Sequence, residues 1–182
     1  MRFVLVFLLF LSTLFSADPL KNKNLLELFK HQYYTYICMH RWIYINKYEK
    51  KDEKLLSLVA YSCLKKHYLT PALDLAKVLR VTKIGRTNAT YINTLFLIKL
   101  LTERYIKDDY PIQDINIPKI EDSLLAKVFY LAQKQKPKII NGSYFEVTDN
   151  GLKYRVIFSQ DINNIIIKTF KNSQMIKKDK YW

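Results

Sequence analysis

YFEVTDNGLKYRVIF, residues 144–158, decides the fold, because from here on the apolar residues alternate instead of following a helical period. Its DNG triplet at residues 149–151 is a strong β-hairpin signal, and the residues after it alternate as a strand does. A turn at residues 161–164 and an apolar run at residues 165–170 add a third strand. Two strands alone are only marginally stable, so residues 138–182 are predicted to form a three-stranded antiparallel β-meander, whose residues 171–182 either extend the sheet or form a free tail.

The preceding residues 18–137 carry apolar side chains at helical spacing. The clearest stripe lies in the second predicted helix and comprises Leu55, Leu56, Val59, Ala60, Cys63 and Leu64. The spacing predicts about five helices, near residues 25–45, 55–64, 72–81, 89–105 and 121–135. Gly85 is predicted to mark the end of the third helix, and Asn88 or Thr87 to cap the fourth. The expected fold class is therefore α+β, an N-terminal array of helical hairpins followed by the β-meander.

Residues 1–17 are typical of a secretory signal peptide. Met1 and Arg2 form a short cationic start, residues 3–15 are almost purely apolar, and small Ser16 and Ala17 follow. The apolar run is shorter than the ~20 residues that a spanning helix needs, although an uncleaved anchor is the alternative. We therefore expect a periplasmic or secreted protein with no stable membrane span after cleavage.

Two cysteines, Cys38 and Cys63, lie about equally far from the turn predicted near residues 50–51. Residues so placed in an antiparallel helical hairpin sit at the same level, and exported proteins form disulfides. A Cys38–Cys63 disulfide would enclose 24 intervening residues and contribute about 3 kcal/mol in the chain-entropy model. The alternative is a pair of small buried hydrophobes. The spacing fits neither a redox motif nor a zinc site.

The formal net charge of +14 limits the class of partner. Lysines are scattered over most segments, arginine is scarce, and residues 108–122 reverse the sign of the charge. A nucleic-acid site needs a concentrated basic patch, so no nucleic-acid partner is expected. The charge is either an ordinary solvated surface or an attraction to anionic envelope polymers, such as peptidoglycan, lipopolysaccharide or a membrane surface.

The first predicted helix carries aromatic side chains on more faces than one-sided burial needs. Most aromatic residues of the chain are expected to fill the core between helices. Four of them are instead predicted to contribute to an interaction surface, because exposed tyrosine and tryptophan anchor interfaces well. These candidate interaction residues are Tyr33, Tyr34, Trp42 and Tyr44.

No motif for catalysis, for a cofactor or for a metal is present in the sequence. His31, His40 and His67 are not at a metal-ligating spacing, and no serine stands in a nucleophile elbow. We therefore expect a protein that is not an enzyme and needs no cofactor. The carboxylates of a hydrolase can come from anywhere in a fold, so an envelope hydrolase with unrecognised carboxylates is a third interpretation.

The segment LTPALDLAKVLR, residues 69–80, resembles the second helix of a tetratricopeptide-type repeat. Ala72 and Ala76 stand where such repeats pack helix on helix. The resemblance covers one helix pair and no fixed period extends it along the chain. It implies a helical scaffold that binds proteins, and it carries no catalytic residues over to this chain.

Together these observations predict a small exported interaction module, an adaptor or assembly factor of a cell-envelope machine, whose partner is another envelope protein. Helical grooves and sheet edges are both common ways to hold a polypeptide. A basic binder of anionic envelope polymers is the alternative, and the hydrolase is the third.

Overall fold

The structure, a computed structural model, describes residue 20 and residues 22–49, 51–161 and 163–182. The signal peptide predicted for residues 1–17 lies outside these described residues. The described chain is α+β, with helices first and one antiparallel sheet last. Within these described ranges, no helix combines the length and the apolar character needed to cross a bilayer.

Seven helices and four strands are present in the described part of the chain. The helices are α1 (Leu25–Lys30), α2 (Tyr34–Met39), α3 (Arg41–Tyr48), α4 (Glu53–Lys65), α5 (Leu69–Ala76), α6 (Lys83–Asp108) and α7 (Leu124–Gln135). The strands are β1 (Tyr144–Asp149), β2 (Leu152–Ser159), β3 (Asn164–Lys171) and β4 (Gln174–Tyr181), which pair in sequence order.

The prediction of about five helices in a hairpin array is wrong, because three short helices replace the long first helix. Helix α1 ends in a Schellman motif, in which the Tyr33 N–H donates to the Leu28 carbonyl and the Gln32 N–H to the Phe29 carbonyl, both at 3.0 Å. Gln32 has the left-handed φ of 57° that this motif requires. Glycine usually takes this position, so a glutamine there gave no signal in the sequence. His40 then separates α2 from α3.

Helix α6 begins at Lys83 rather than near residue 89, and Gly85 lies inside its first turn rather than at the end of α5. Thr82 is the N-cap, and its hydroxyl accepts the Gly85 N–H at 2.9 Å. The early start follows from the hydrogen bonds that Glu53 of α4, far away in the sequence, accepts from the backbone just before α6. It places 26 residues in one helix, about 39 Å long.

The prediction of a three-stranded meander is also wrong, because residues 174–181 add β4 at the edge of the sheet. The turn before β4 consists of Asn172 and Ser173, whose φ angles are 48° and 66°. These values suit a tight two-residue hairpin, but the turn lacks the glycine that marks Asn150-Gly151 between β1 and β2. The lysines of β4 are typical of an edge strand that is protected against pairing with another chain. They also obscure the alternation of apolar and polar residues by which a strand is recognised in a sequence.

The interior consists of two clusters of buried apolar side chains that share α6. One cluster packs the sheet against α6 and α7, and its cross-strand row Phe145, Val156 and Ile167 faces these helices. The other lies among α1 to α5 and includes Ile92 from α6. Because α6 contributes to both, the sheet and the helices are held to one common element.

Cys38 of α2 and Cys63 of α4 lie at disulfide-bonding distance, with their sulfurs 2.07 Å apart. Both are fully buried in the helical cluster. The bond fixes the short helix α2 to the longer helix α4, which is valuable because six residues alone make a marginal helix.

Replacing both cysteines, in Cys38→Ala/Cys63→Ala, should lower the free energy of unfolding by about 3 kcal/mol, because the unfolded chain is no longer cross-linked. Urea unfolding followed by circular dichroism measures the change. Reductant should lower the wild-type midpoint to that of the double variant and leave the double variant unaffected. A fully reduced wild-type chain with an unchanged midpoint would contradict this account.

The start of α6 is tied to the start of α4 by the side chain of Glu53. Its Oε1 accepts the N–H groups of Arg80 and Val81 at 2.7 and 2.6 Å, and its Oε2 accepts the Thr82 N–H at 2.7 Å and the Thr82 hydroxyl. Burial raises the pKa of this carboxyl, but the hydrogen bonds outweigh burial and lower the pKa to about 2. The carboxylate also lies at the positive end of the α6 dipole.

A carboxyl whose pKa is lowered by folding stabilises the protein at pH values above its ordinary pKa of 4.5, and this contribution is lost as the pH falls toward 2. Glu53→Gln should therefore lower the free energy of unfolding by about 2 kcal/mol at neutral pH. The difference from wild type should shrink below pH 4.5. Urea titrations at several pH values measure both quantities.

Glu49→Gln is the matched control, because Glu49 is an exposed glutamate at the end of α3. Its replacement should change stability by less than about 0.5 kcal/mol. Equal effects of the two substitutions would mean that the hydrogen bonds of Glu53 do not stabilise the α4–α6 junction.

Gly85→Ala should destabilise the protein by about 1 kcal/mol, although alanine is normally the better helix former. A Cβ at this position would lie 2.3 Å from Glu53 Oε2 and 3.0 Å from Thr82 Oγ1, so the carboxylate must move. In a Glu53→Ala background the closer of the two contacts is gone and only Thr82 Oγ1 remains, so the same change should be clearly less destabilising. This double-mutant cycle is measured by urea unfolding, and additive effects would refute the proposed contact.

Candidate functional site

A groove of about 910 Å³ lies between the helices and the last strand. It is lined by the ends of α1 and α2, by one face each of α4 and α6, by the start of α7 and by β4. This volume is within the range of ligand-binding pockets.

The aromatic end of the groove is formed by Phe29, Tyr34 and Tyr61. The turn at Gln32, between α1 and α2, brings the rings of Phe29 and Tyr34 into edge-to-face contact, with centroids 5.5 Å apart. Tyr61 from α4 completes the cluster at 5.7 Å from Phe29 and 6.1 Å from Tyr34. The Lys65 ammonium lies 5.1 Å from the centre of the Tyr61 ring. A hydrogen bond with Tyr61 raises the pKa of Lys65, so this end combines aromatic faces with a cation.

The middle of the groove is crossed by a hydrogen bond between α6 and the segment before α7. The Tyr91 hydroxyl donates to Asp122 Oδ1 at 2.9 Å. Burial and this hydrogen bond both raise the pKa of Tyr91, so the phenol stays protonated at neutral pH. Beside it, the Asn88 amide donates to the Ser57 hydroxyl at 3.0 Å. These four side chains give the groove polar groups that can bond a ligand.

The acidic end of the groove is formed by Asp179 on β4. Its Cα is paired with that of Ile167, so the carboxylate continues the inward-facing row of the sheet. The side chain is only 7% exposed, and its Oδ1 lies 3.0 Å from the Lys177 ammonium. Among the described residues, Oδ2 has no hydrogen-bond partner. A buried acceptor left in this state costs about 1–3 kcal/mol.

His67 closes this end by stacking on Tyr181, with the ring centroids 4.3 Å apart and the planes 13° from parallel. The ring is placed by a second Schellman motif, because His67 follows α4 with a left-handed φ of 56°. Burial lowers the pKa of His67, which keeps the imidazole neutral near pH 7. Its Nδ1 is 3.9 Å from Asp179 Oδ1, too far for a hydrogen bond.

Tyr181 anchors the acidic end to the rest of the fold. Burial raises the pKa of its phenol, and the Leu125 N–H at the start of α7 donates to the phenol oxygen. The strand β4 therefore reaches the first turn of α7 through one side chain. This contact fixes the position of Asp179 two residues earlier.

The groove can bind a ligand by stacking on its aromatic end and by hydrogen bonds along its floor. In the described ranges, no three His, Cys, Asp or Glu side chains are grouped closely enough to hold a metal ion. The two carboxylates of the groove differ in their surroundings, since Asp122 is exposed and bonded to Tyr91, whereas Asp179 is buried.

The four predicted interaction residues are dispersed by the structure. Tyr34 lines the groove, and Tyr33 is 40% exposed next to it in the sequence. Trp42 is 52% exposed on α3, and Tyr44 is buried in the helical cluster. The structure brings only Tyr34 into the groove.

Most residues of the groove were not singled out from the sequence. Tyr91 and Asp122 belong to segments that meet only in the folded chain. Asp179 and Tyr181 were missed because β4 was not predicted. A signal was available, since Lys177, Asp179 and Tyr181 alternate and therefore point to one face of a strand.

No protein-family model, curated protein or solved structure matches this chain. The tetratricopeptide resemblance of residues 69–80 therefore stays a prediction, and the function must be argued from the groove itself.

Proposed function

We propose that this protein is an exported interaction module that holds a segment of a partner polypeptide in the groove between its helices and β4. The observation that carries the proposal is the aromatic end of the groove, where Phe29, Tyr34 and Tyr61 expose ring faces and edges beside hydrogen-bonding groups. Tyrosine and phenylalanine are enriched in protein interfaces because they bury a large area at little cost in side-chain entropy.

The shape of the groove supports a polypeptide ligand. Its volume of about 910 Å³ accommodates several side chains at once, and its floor offers the Asn88 amide and the Asp122 carboxylate. Main-chain groups of a bound segment need such partners, because an unpaired amide in a closed interface is costly. The aromatic end can therefore contact the side chains of a bound segment, while the polar groups of the floor can form hydrogen bonds with its main chain.

The proposed location is the periplasm or the outside of the cell, and the proposed role is that of an adaptor or assembly factor in an envelope machine. Two observations support export: the apolar character of residues 3–15 and the cysteine pair at disulfide distance. The partner would then be another envelope protein.

Binding of an anionic envelope polymer is the second candidate function, and it is favoured by the outer face of the sheet. Lys168 and Lys178 are directly opposite each other on β3 and β4. Like charges in this arrangement are destabilising, and an anionic ligand would relieve the repulsion. Arg155 lies in the same row, although Glu146 binds it at 2.7 Å.

The first experiment is a crosslinked pull-down of the tagged, exported protein, washed at low and at high salt, with the eluates identified by mass spectrometry. A stoichiometric protein partner should survive the high-salt wash, because an aromatic interface is little screened by salt. Tyr61→Ala should reduce its recovery by about tenfold, as loss of an interface aromatic commonly does.

Tyr33→Ala is the matched control, since Tyr33 and Tyr61 are nearly equally exposed, at 40% and 42%, and Tyr33 lies outside the groove. Its recovery should equal that of wild type. Recovery of wall or lipid material that is lost at high salt, and that depends on Lys168 and Lys178 rather than on Tyr61, would overturn the proposal in favour of the polymer binder.

A further inference from the structure

The acidic end of the groove contains an unmatched hydrogen-bond acceptor. Asp179 is more than nine-tenths buried, lines the groove, and keeps its Oδ2 without a donor in the part of the chain that the structure describes. Buried carboxylates in native proteins are normally paired and fully hydrogen-bonded. A donor supplied by a ligand would complete this pairing.

Within the described chain, the two neighbouring basic side chains leave Oδ2 of Asp179 without a hydrogen bond. Lys177 contacts Oδ1, and its side chain is 62% exposed, so its ammonium remains largely hydrated. His67 also faces Oδ1, and burial lowers the pKa of its ring, so a neutral imidazole lies there at pH 7. Neither group reaches the second oxygen.

The surroundings of Asp179 suit a long cationic side chain. Tyr91 lines the same groove as Asp179, and its partly exposed ring offers an apolar face to an aliphatic stem. Tyr181 is buried and stacked on His67, and so supports this end from below. Aromatic faces also attract an ammonium or a guanidinium group by cation–π interaction. Lysine and arginine both combine such a stem with such a head group.

We propose that Asp179 binds the cationic head group of a lysine or arginine side chain that a partner polypeptide inserts into the groove. This inference rests on the proposed function, because it names the chemistry of the segment that the groove holds. An ionised hydrogen bond to a buried carboxylate is about twice as strong as a neutral one. The inserted side chain would therefore anchor the segment beside β4.

The charge of the rest of the protein makes this recognition selective. A formal net charge of +14 repels a basic segment from most of the surface. The groove differs from that surface in being balanced, since the carboxylates of Asp122 and Asp179 line it together with the ammonium groups of Lys65 and Lys177. A basic side chain is thus attracted where it reaches Asp179, whereas the overall positive charge opposes its binding elsewhere, a combination of attraction and repulsion typical of specific interfaces.

The test is an NMR titration of the isotope-labelled, disulfide-intact protein with the capped tripeptides Phe-Lys-Phe and Phe-Arg-Phe, and with the same peptide carrying norleucine at the centre. Norleucine keeps the aliphatic stem and lacks the charge. The two cationic peptides should shift groove resonances with a Kd at least about tenfold lower than that of the norleucine peptide.

Asp179→Asn should raise the Kd of the cationic peptides by about tenfold and leave the norleucine peptide unaffected, because the amide keeps the shape and loses the charge. Asp114→Asn is the matched control, since Asp114 is exposed and lies outside the groove, and it should change none of the values. The comparison of peptides on the wild-type protein does not depend on the folding of any variant.

Two results would overturn the inference. Equal Kd values for the lysine and norleucine peptides would show that the groove binds polypeptide without reading a cation, and the proposed function would stand. Shifts caused by the cationic peptides only outside the groove, unaffected by Asp179→Asn, would reject Asp179 as the binding residue. The proposed function would then be judged separately, by the effect of Tyr61→Ala on partner recovery.

Discussion

The start of the helix that both hydrophobic clusters share depends on the hydrogen bonds that one carboxylate makes to a turn of backbone. Glu53 binds three successive N–H groups ahead of α6, and so fixes where the longest described helix begins and holds this start against α4. Because α6 contributes to both hydrophobic clusters, a change at its first turn would be transmitted to the sheet. Gly85 is the condition for this contact, since any side chain there would occupy the space of the carboxylate.

Segments with a regular apolar period could be predicted from the sequence, because their structure follows from local propensity and one-sided burial. Helix α4, the turn at Asn150-Gly151 and the strands around it are of this kind. The errors are at turns where Gln32 and Ser173 take left-handed backbone conformations. Such conformations cost an L-residue free energy, and only contacts of the folded chain compensate for it. No local sequence pattern predicts these left-handed conformations.

The groove was harder to predict than the fold, since its walls come from segments far apart in the sequence. The spacing of Cys38 and Cys63 indicated their pairing, although in the described part of the chain α3 lies between the two helices that carry them and the predicted simple hairpin is absent. The meeting of Tyr91 with Asp122, and of His67 with Tyr181, depends on tertiary packing alone. Of the aromatic residues chosen for interaction, Tyr34 entered the groove because the chain turns at Gln32.

The backbone of Trp182 has a consequence for the order in which the molecule assembles. Its N–H donates to the His67 carbonyl at 2.9 Å, and its carbonyl accepts the Leu69 N–H at 3.0 Å, so the two sides of this junction are separated by most of the chain. Contacts of such high sequence separation form late, because the entropy cost of closing a long loop must be met before the contacts contribute any stabilising free energy. The acidic end of the groove is therefore among the last parts to acquire its shape. A chain without β4 in place would lack Asp179 and Tyr181 in this wall, so the proposed binding site is complete only in the fully folded protein.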